Sequence, residues 1–572
     1  MNQATNRKSQ GQSIQRLFLL FALCPLLFAL PSAPASGQQP AETDAVLKAM
    51  QDELARSVAS LKMQEWEKPY FIEYQVADGD SFSVNASFGG LLYSNRSRAR
   101  MLSVQVRVGS YDFDNEASGF PSALVAEDDY QALRHGIWLA TDSAYKLAVE
   151  QLARKRAFLK NRVEEERVPD FSHEEPTTTV LPRQTLTLNQ AHWEKQVREW
   201  SAIFRQFPEI RQSGVSFQAQ LMHKYLVNSE GTKTRRPVIL IALQAYAATQ
   251  AADGMWLTHS VPFYAGRLEE LPPPQEVAGA IRRMAEELTR LRSAPVLEAN
   301  YLGPVLFTGQ ASAEMFSQLL APELCSQRPS MEREDNGELA NRLNRPVLPA
   351  SISVFDDPTQ QKSGEQALIG SFQVDDQGVP ARRVSLIEQG VLKNLLMSRR
   401  PRKDMLRSNG HGRSAFSGGA TTEIGNLFIE PSNGKSSADL KQELLKLCKS
   451  QNLKYGILIK TLSDGRSGKG AGLSAPIMAF KVYVDDGHEE MIRGASVGEI
   501  ATRQLKQIAA VGSDRYVYNQ IEGGGGSPFG GGIGISTSII APSVLLEELE
   551  LKRPTGTQQK PTLLDHPYFN KK

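Results

Sequence analysis

The feature that most constrains this chain is the stretch at residues 294–320. Val305-Leu306-Phe307 is an apolar run that follows Gly303-Pro304, and it reads as a short buried strand. Gly309 breaks the run, and residues 310–320 are rich in Ala, Met, Leu and Gln, which favour helix. Ala311, Met315, Phe316 and Leu319 recur at helical spacing, giving that helix one buried face. A strand that stops at glycine and turns into a helix presents reactive side chains at the first helical turn. Here the turn carries Thr308, Gln310, Ser312 and Glu314, with no histidine and no cysteine. Glu314 is the weak candidate for acid–base work, and the ordinary reading of it is a surface helix glutamate.

Before that stretch, Val46, Met50, Leu54, Val58 and Leu61 predict an amphipathic helix over residues 44–63. Phe82, Val84, Ala86 and Phe88 alternate, as do Leu102, Val104, Val106 and Val108, which predicts half-buried antiparallel strands. A long helix is expected over residues 128–161, with an apolar stripe through Leu133, Ile137, Ala144, Ala148 and Leu152. Trp138 and Tyr145 read as core aromatics, and Lys155, Arg156, Lys160 and Arg162, followed by residues 164–166, as a solvated helix end. Residues 170–182 read as a polar loop, in which His173-Glu174-Glu175 lacks a second histidine at helical ligand spacing. A helix over 194–207 and a hairpin pairing 215–227 with 237–245 follow, its turn supplied by Asn228 and Gly231. The proline triplet 272–274 is a stiff spacer and marks the expected internal boundary.

After it, Val277, Ile281, Leu288 and Leu291 predict a helix, and residues 332–335 a polar loop. From Val347 the chain is β-rich, punctuated at Asp375-Asp376-Gln377-Gly378 and Glu388-Gln389-Gly390 as turns. Leu440, Leu444 and Leu447 mark a helix in which Cys448 reads as a buried inert thiol. Strands are expected over 456–462 and 479–484, and residues 493–512 read as strand and then helix. The expected divisions are 1–37, 41–270, 275–552 and a polar tail at 553–572.

Arg7, Lys8 and Arg16 precede an apolar run over residues 17–30, then small residues at 33–37. This is the pattern of a secretory signal peptide, so the chain is expected to be exported, periplasmic or extracellular, with no stable membrane span after removal. The run is shorter than the roughly 20 apolar residues of a span, and Pro25 interrupts it. Cys24 leaves with the signal, and Cys325 with Cys448 do not make a disulfide framework. A formal net charge of +2 over 572 residues gives no electrostatic case for nucleic acid.

The eight histidines (135, 173, 192, 223, 259, 411, 488 and 566) include no pair at a helical ligand spacing. His488-Glu489-Glu490 starts like a zinc helix, but it has no second histidine and follows the turn Asp485-Asp486-Gly487. Residues 465–470 lack the first glycine and final hydroxyl of a phosphate loop. Ser312, Ser474, Ser527 and Ser536 lack a nucleophile-elbow context. Glycines there and at 523–534 suit tight turns or the close passage of another backbone, as in a groove taking an extended peptide by strand addition.

Several blocks are similar to one family. VRVGSYDFDN at 106–115, YLVNSEGT at 225–232, the acidic-Gly turn at 375–378, VPARRV, GVLKNLL, GGATTEIGNLFIEP, RGASVGEIATRQLKQIAAVG and SIIAPSVLLEELEL occur in order. They resemble the TldD/PmbA family, known as zinc metallopeptidases and as modulators of DNA gyrase, over most of residues 41–552. The resemblance implies an α+β fold, with a mixed α/β N-terminal domain and a C-terminal domain of curved antiparallel sheet with outer helices. Its active branch carries His-Glu-x-x-x-His where this chain has Thr308 and Ala313 on the histidine positions and Gly309 on the glutamate. A further family ligand is a cysteine in a late Gly-rich loop, where this chain has Ser527 and no cysteine. The expectation is an exported, non-catalytic peptidase homologue with no metal, binding peptide or protein. Self-association or pairing with an active paralogue would fit that role. The alternatives are an active peptidase with a displaced site, for which zinc would be the cofactor, and a structural envelope protein.

Overall fold

The structure, a computed structural model, describes residues 44–116, 119–160, 168–325, 337–415, 419–463, 472–522, 534–556, 559–562 and 564. The signal-like segment, residues 164–166, 332–335, 465–470 and 523–533, and His566 lie outside the described residues.

The first half begins with α1 (Ala45–Ser60), capped by Asp44, whose carboxylate accepts from Val46 N and Leu47 N. Two 19-residue strands follow, β1 (Pro69–Ser87) and β2 (Gly90–Val108), then β3 (Phe120–Leu124). Positive φ at Phe88 and Gly89 forms the tight turn joining the two long strands. Next come α2 (Tyr130–Leu159), β4 (Thr178–Val180), α3 (Gln190–Ala202), β5 (Ile210–Asn228), β6 (Lys233–Gln250), β7 (Trp256–Ala265) and α4 (Pro274–Ser293). The strands form one sheet in the order β3-β2-β1-β5-β6-β4, with β7 also paired to β6.

The two-residue period of a strand decides what each sheet face does. On β1, Ile72, Tyr74, Val76, Phe82, Val84 and Ala86 share one face and join the apolar cores built with the four helices. Gln75 and, on β5, Lys224 point the other way, toward the Asp375-Asp376 turn of the second half. The Val277, Ile281, Met284, Leu288 and Leu291 face of α4 packs into the core of the first sheet.

The second half contains β8 (Tyr301–Phe307), α5 (Gln310–Leu319), α6 (Ala321–Leu324) and β9 (Ile352–Asp356). Short pairs follow as β10 (Lys362–Ser363) with β11 (Gln366–Ala367), β12 (Val384–Glu388) with β13 (Val391–Leu392), and β14 (Gly412–Arg413) with β15 (Thr421–Thr422). Then come β16 (Asn426–Pro431), α7 (Ser437–Ser450), β17 (Tyr455–Leu462), β18 (Pro476–Tyr483), β19 (Glu489–Ile492) and β20 (Ser496–Val497). The last strands are β21 (Ile508–Val511), β22 (Tyr516–Glu522), β23 (Ile535–Ala541) and β24 (Val544–Lys552).

One sheet runs β13-β12-β9-β16-β23-β22 and the other β19-β18-β17-β8-β24-β20, with β21 on β24. The chain crosses from the first of these to the second at Pro542-Ser543, so the sheets curl round one core. That core holds Val305, Phe307, Ile457 and Ile459 together with Ala311, Met315 and Phe316 of α5. Leu306, Leu458 and Leu545 face outward against Leu440, Leu444 and Cys448 of α7. The fold is therefore α+β with a curled sheet, as expected. While α7 packs outside, α5 is enclosed, with Ala311 through Ser317 buried on every side.

Four local expectations are corrected. Trp138 is 44% exposed, because it points away from the stripe that buries Tyr145. Lys155 is buried, not solvated, since it donates to Asp170 Oδ2 at 2.6 Å and pairs with Glu116 at 2.8 Å. The polar loop at 170–182 buries Asp170, Ser172 and Glu174 and contributes β4. Residues 493–512 form β20, a 3₁₀ turn over Thr502–Gln507 and β21, with no α-helix.

Candidate functional site

The β8–α5 turn lies at the centre of its sheet, because β8 is flanked by parallel β17 and antiparallel β24. Thr308 N donates to Ile459 O at 3.0 Å, continuing the ladder one residue beyond the strand. Gly309 then adopts φ 53° and ψ −121°, and this left-handed residue lets the chain turn into α5. Its N–H donates to Ser543 Oγ at 3.3 Å, and Ser543 Oγ donates to Asp514 Oδ2 at 2.6 Å. Ser312 Oγ donates to Pro542 O at 2.6 Å.

Glu314 is not a surface glutamate. It is 2% exposed, accepting from Gln310 Nε2 and from Leu462 N, each at 2.7 Å. The sequence reading missed this because the helix is enclosed, so every position on it meets protein. Ala313 is fully buried and offers only a methyl group. Zinc requires imidazole, thiolate or carboxylate donors converging on one point. Thr308, Gly309 and Ala313 supply none, and Glu314 is engaged by a backbone N–H. Among the described residues, no three His, Cys, Asp or Glu side chains are grouped to hold a metal. Residues 523–533, outside the described residues, contain Ser527 but no His, Cys, Asp or Glu. Among the described residues, the donor set at the β8–α5 turn does not fit zinc.

Among the described residues, the histidines are dispersed. His411 is fully buried, with Nε2 3.0 Å from Asp356 Oδ1 and Nδ1 3.1 Å from Asn409 O. His223 Nε2 accepts from Gln184 N at 2.9 Å, and burial pushes its pKa down to about 4. His488 sits in an exposed turn beside Asp486, as read from the sequence. Cys325 and Cys448 are both buried, and burial pushes the Cys448 thiol up to about 11.

A second place gathers more charge than the sequence disclosed. A cleft of about 490 Å³ opens between β5 and β6 of the first sheet and the 358–376 segment, β14 and the start of β23. At its floor Lys224 Nζ reaches both oxygens of Asp376 at 3.0 Å, and Arg236 Nη2 reaches Asp376 Oδ1 at 2.9 Å. Burial alone would raise the Asp376 carboxyl, but Lys224, Arg236 and Arg413 outweigh it and hold it well below the usual carboxylate range. Its neighbour Asp375 is pushed up to about 6 by burial, against the N–H groups of Val379, Gly412 and Gln377. Burial also lowers Lys224 and Arg413.

Arg413 Nη1 donates to Ile424 O at 2.9 Å and Ser536 O at 2.7 Å, and its guanidinium lies 4.7 Å from the Phe372 ring centroid. Along the same cleft one edge of β6 is open. Its outer side pairs with β4 at residues 233–235 and with β7 at 241–250, leaving 236–240 without a strand neighbour among the described residues. Pro237 is compatible with such an edge because it has no N–H to donate. The 375–378 turn is where the sequence placed it, with Gly378 at φ 82°, but its carboxylates are structural charges of this cleft. No local pattern unites Lys224, Arg236, Asp376 and Arg413, since only tertiary folding brings them together.

Residues 300–553 match the PmbA/TldA metallopeptidase C-terminal domain. A metalloprotease of Methanothermobacter thermautotrophicus is 25% identical over 293 residues, which is 50% of this chain and 59% of that protein. A metalloprotease of Archaeoglobus fulgidus is 28% identical over 171 residues, covering 30% of this chain and 36% of its own. These alignments therefore span less than two thirds of either relative's length.

Among solved structures, one from Thermotoga maritima named as a modulator of a DNA gyrase superposes with TM-score 0.57 at 18% identity. It covers 88% of this chain and 99% of its own. TldE from Thermococcus kodakarensis superposes with TM-score 0.55 at 17% identity, covering 88% and 100%. Both likenesses concern the fold. The C-terminal half is thus that of a metallopeptidase-type domain. Through it, residues 300–553 belong to the TldD/PmbA family.

Proposed function

We propose that this chain is a non-catalytic member of the TldD/PmbA family that binds an extended peptide or protein segment instead of cleaving it. The observation that carries this reading is the β8–α5 turn. A hydroxyl, a hydrogen and a buried methyl stand at Thr308, Gly309 and Ala313, and the adjacent Glu314 carboxylate is taken by Leu462 N–H. The peptide-binding half rests on the cleft beside β6, where the open edge at 236–240 can pair with an added strand.

Export belongs to the same proposal, supported by the basic and apolar pattern of the first 37 residues. Among the described residues, no helix is long and apolar enough to cross a membrane. The likeness to TldE supports a protein partner of the same family or self-association.

Metal analysis of the purified mature protein, with a peptide-cleavage assay, tests the proposal. The expected result is substoichiometric zinc and no cleavage that a chelator abolishes. Stoichiometric zinc with chelator-sensitive cleavage would establish a displaced catalytic centre and overturn it. N-terminal sequencing of protein recovered from cell fractions tests export, and co-purification with a zinc-bearing paralogue tests the partnership.

A further inference from the structure

The cleft beside β6 contains a surplus of cations, and they differ from its anions in how they are satisfied. Its lining includes Lys224, Arg236, Arg267, Lys362 and Arg413 against Glu270, Asp375 and Asp376. Every carboxylate already has donors. Asp375 accepts from Gln377 N, Val379 N and Gly412 N at 2.8–2.9 Å. Asp376 accepts from Lys224, Arg236 and, at 3.0 Å, Ser414 N, while Glu270 accepts from Gly266 N at 3.0 Å.

The cations are not matched in the same way. Lys224 and Arg236 share Asp376. Arg413 feels the Asp376 charge but makes its hydrogen bonds to carbonyl oxygens through Nη1 alone, so Nε and Nη2 make no hydrogen bond to a carboxylate among the described residues. Arg267 and Lys362, exposed at the rim, have no ion pair among the described residues either. A guanidinium presents its donors as a planar fork that matches a carboxylate in two parallel hydrogen bonds. Arg413 is held for that task, fixed at one nitrogen by two carbonyls and set beside the Phe372 ring.

The rest of the cleft describes what the carboxylate is attached to. Met222, Val238, Ile239, Leu368, Ile369 and Phe372 give it apolar wall, and the open β6 edge offers backbone pairing. We infer that this cleft binds the free C-terminal carboxylate of an extended, apolar peptide, with the Arg413 fork as the carboxylate anchor and Arg267 and Lys362 steering it from the rim. The inference rests on the peptide-binding reading above and adds the end of the peptide that is recognised.

The test uses the mature protein and three probes: an N-acetylated pentapeptide of alternating valine and threonine with a free C-terminus, its C-terminal amide, and sodium hexanoate. Calorimetric titration is expected to show the acid binding at least about tenfold more tightly than the amide, as for loss of one charge-assisted interaction. Hexanoate is expected to bind more weakly than the peptide acid. Arg413→Gln should remove the preference for the acid, and Arg413→Lys should restore part of it. Because Arg413 also ties two carbonyls, the exposed pair Arg267→Gln with Lys362→Gln serves as a second variant. It should weaken the acid about two- to fivefold and leave the amide unchanged. Equal affinity for acid and amide would overturn the carboxylate assignment while leaving peptide binding intact. Hexanoate binding as tightly as the peptide acid would overturn the peptide as its source. Binding of neither peptide would overturn both readings.

Discussion

Arg399 Nη2 donates to Glu230 Oε1 at 2.7 Å, joining the segment after β13 to the turn between β5 and β6. Its Nε also donates to Ser172 O at 3.1 Å, and its guanidinium lies 4.1 Å from the Phe171 ring centroid. Arg107 lies 3.7 Å from that same centroid, so two buried guanidinium groups share one phenyl ring. The charged face of the first sheet is pinned to the second half through this contact. Arg399→Met should strip Glu230 of its cation in a buried setting and cost about 3–5 kcal/mol. Urea unfolding measures that loss.

Glu73 lies close to that clasp and gives stability a pH dependence. Burial pushes its carboxyl up to about 7, with Arg399 opposing and Glu230 reinforcing the rise. A carboxyl whose folded pKa exceeds its unfolded value binds more protons when folded, so stability falls as pH rises between the two. The penalty is fully present above about pH 7 and relieved toward pH 5. Glu73→Gln removes the charge and keeps an acceptor for Gln75 Nε2. The variant should melt higher than the natural protein at pH 8, and the advantage should vanish by pH 5 in a series of melting curves.

Gly309 has room for a methyl group, since a Cβ there would meet Tyr516 only at 3.7 Å. Its φ of 53° with ψ of −121° is the obstacle. Gly309→Ala should therefore destabilise the protein by about 1–3 kcal/mol through backbone strain, read by denaturant titration.

Glu314 distinguishes a structural carboxylate from a catalytic one. Glu314→Ala leaves the Leu462 N–H unpaired in the core and should cost about 1–3 kcal/mol. Glu314→Gln keeps an acceptor and should cost less. Neither substitution should change peptide turnover, because none is expected in the unaltered protein. A chelator-sensitive activity abolished by Glu314→Gln would make it a base.

The periodic elements were legible because their signals are local. The stripe of the long helix, the alternation of Leu102 to Val108 and the break at Gly309 all appear where the residue pattern put them. The burial of Glu314 and Lys155 was not legible, because it depends on what packs against the second face of a helix. Trp138 failed in the opposite sense, since aromatic character alone does not say which side of the stripe a residue occupies. In the cleft, Lys224 and Asp376 are separated by 152 positions, and no window on the sequence contains both. The resemblance to the family located the β8–α5 turn, yet it said nothing of the Arg413 cluster.

β8 acquires its neighbours very late. Val305 stands opposite Ile457 on one side and Leu546 on the other, so both flanking strands are made long after it. The strand that leads into the turn has no partner within its sheet until the ribosome has passed Tyr455, and no second one until it has passed Val544. Assembly of this sheet therefore waits for strands far along the chain from β8, so the turn into α5 is set in place only after a long stretch of later sequence is made.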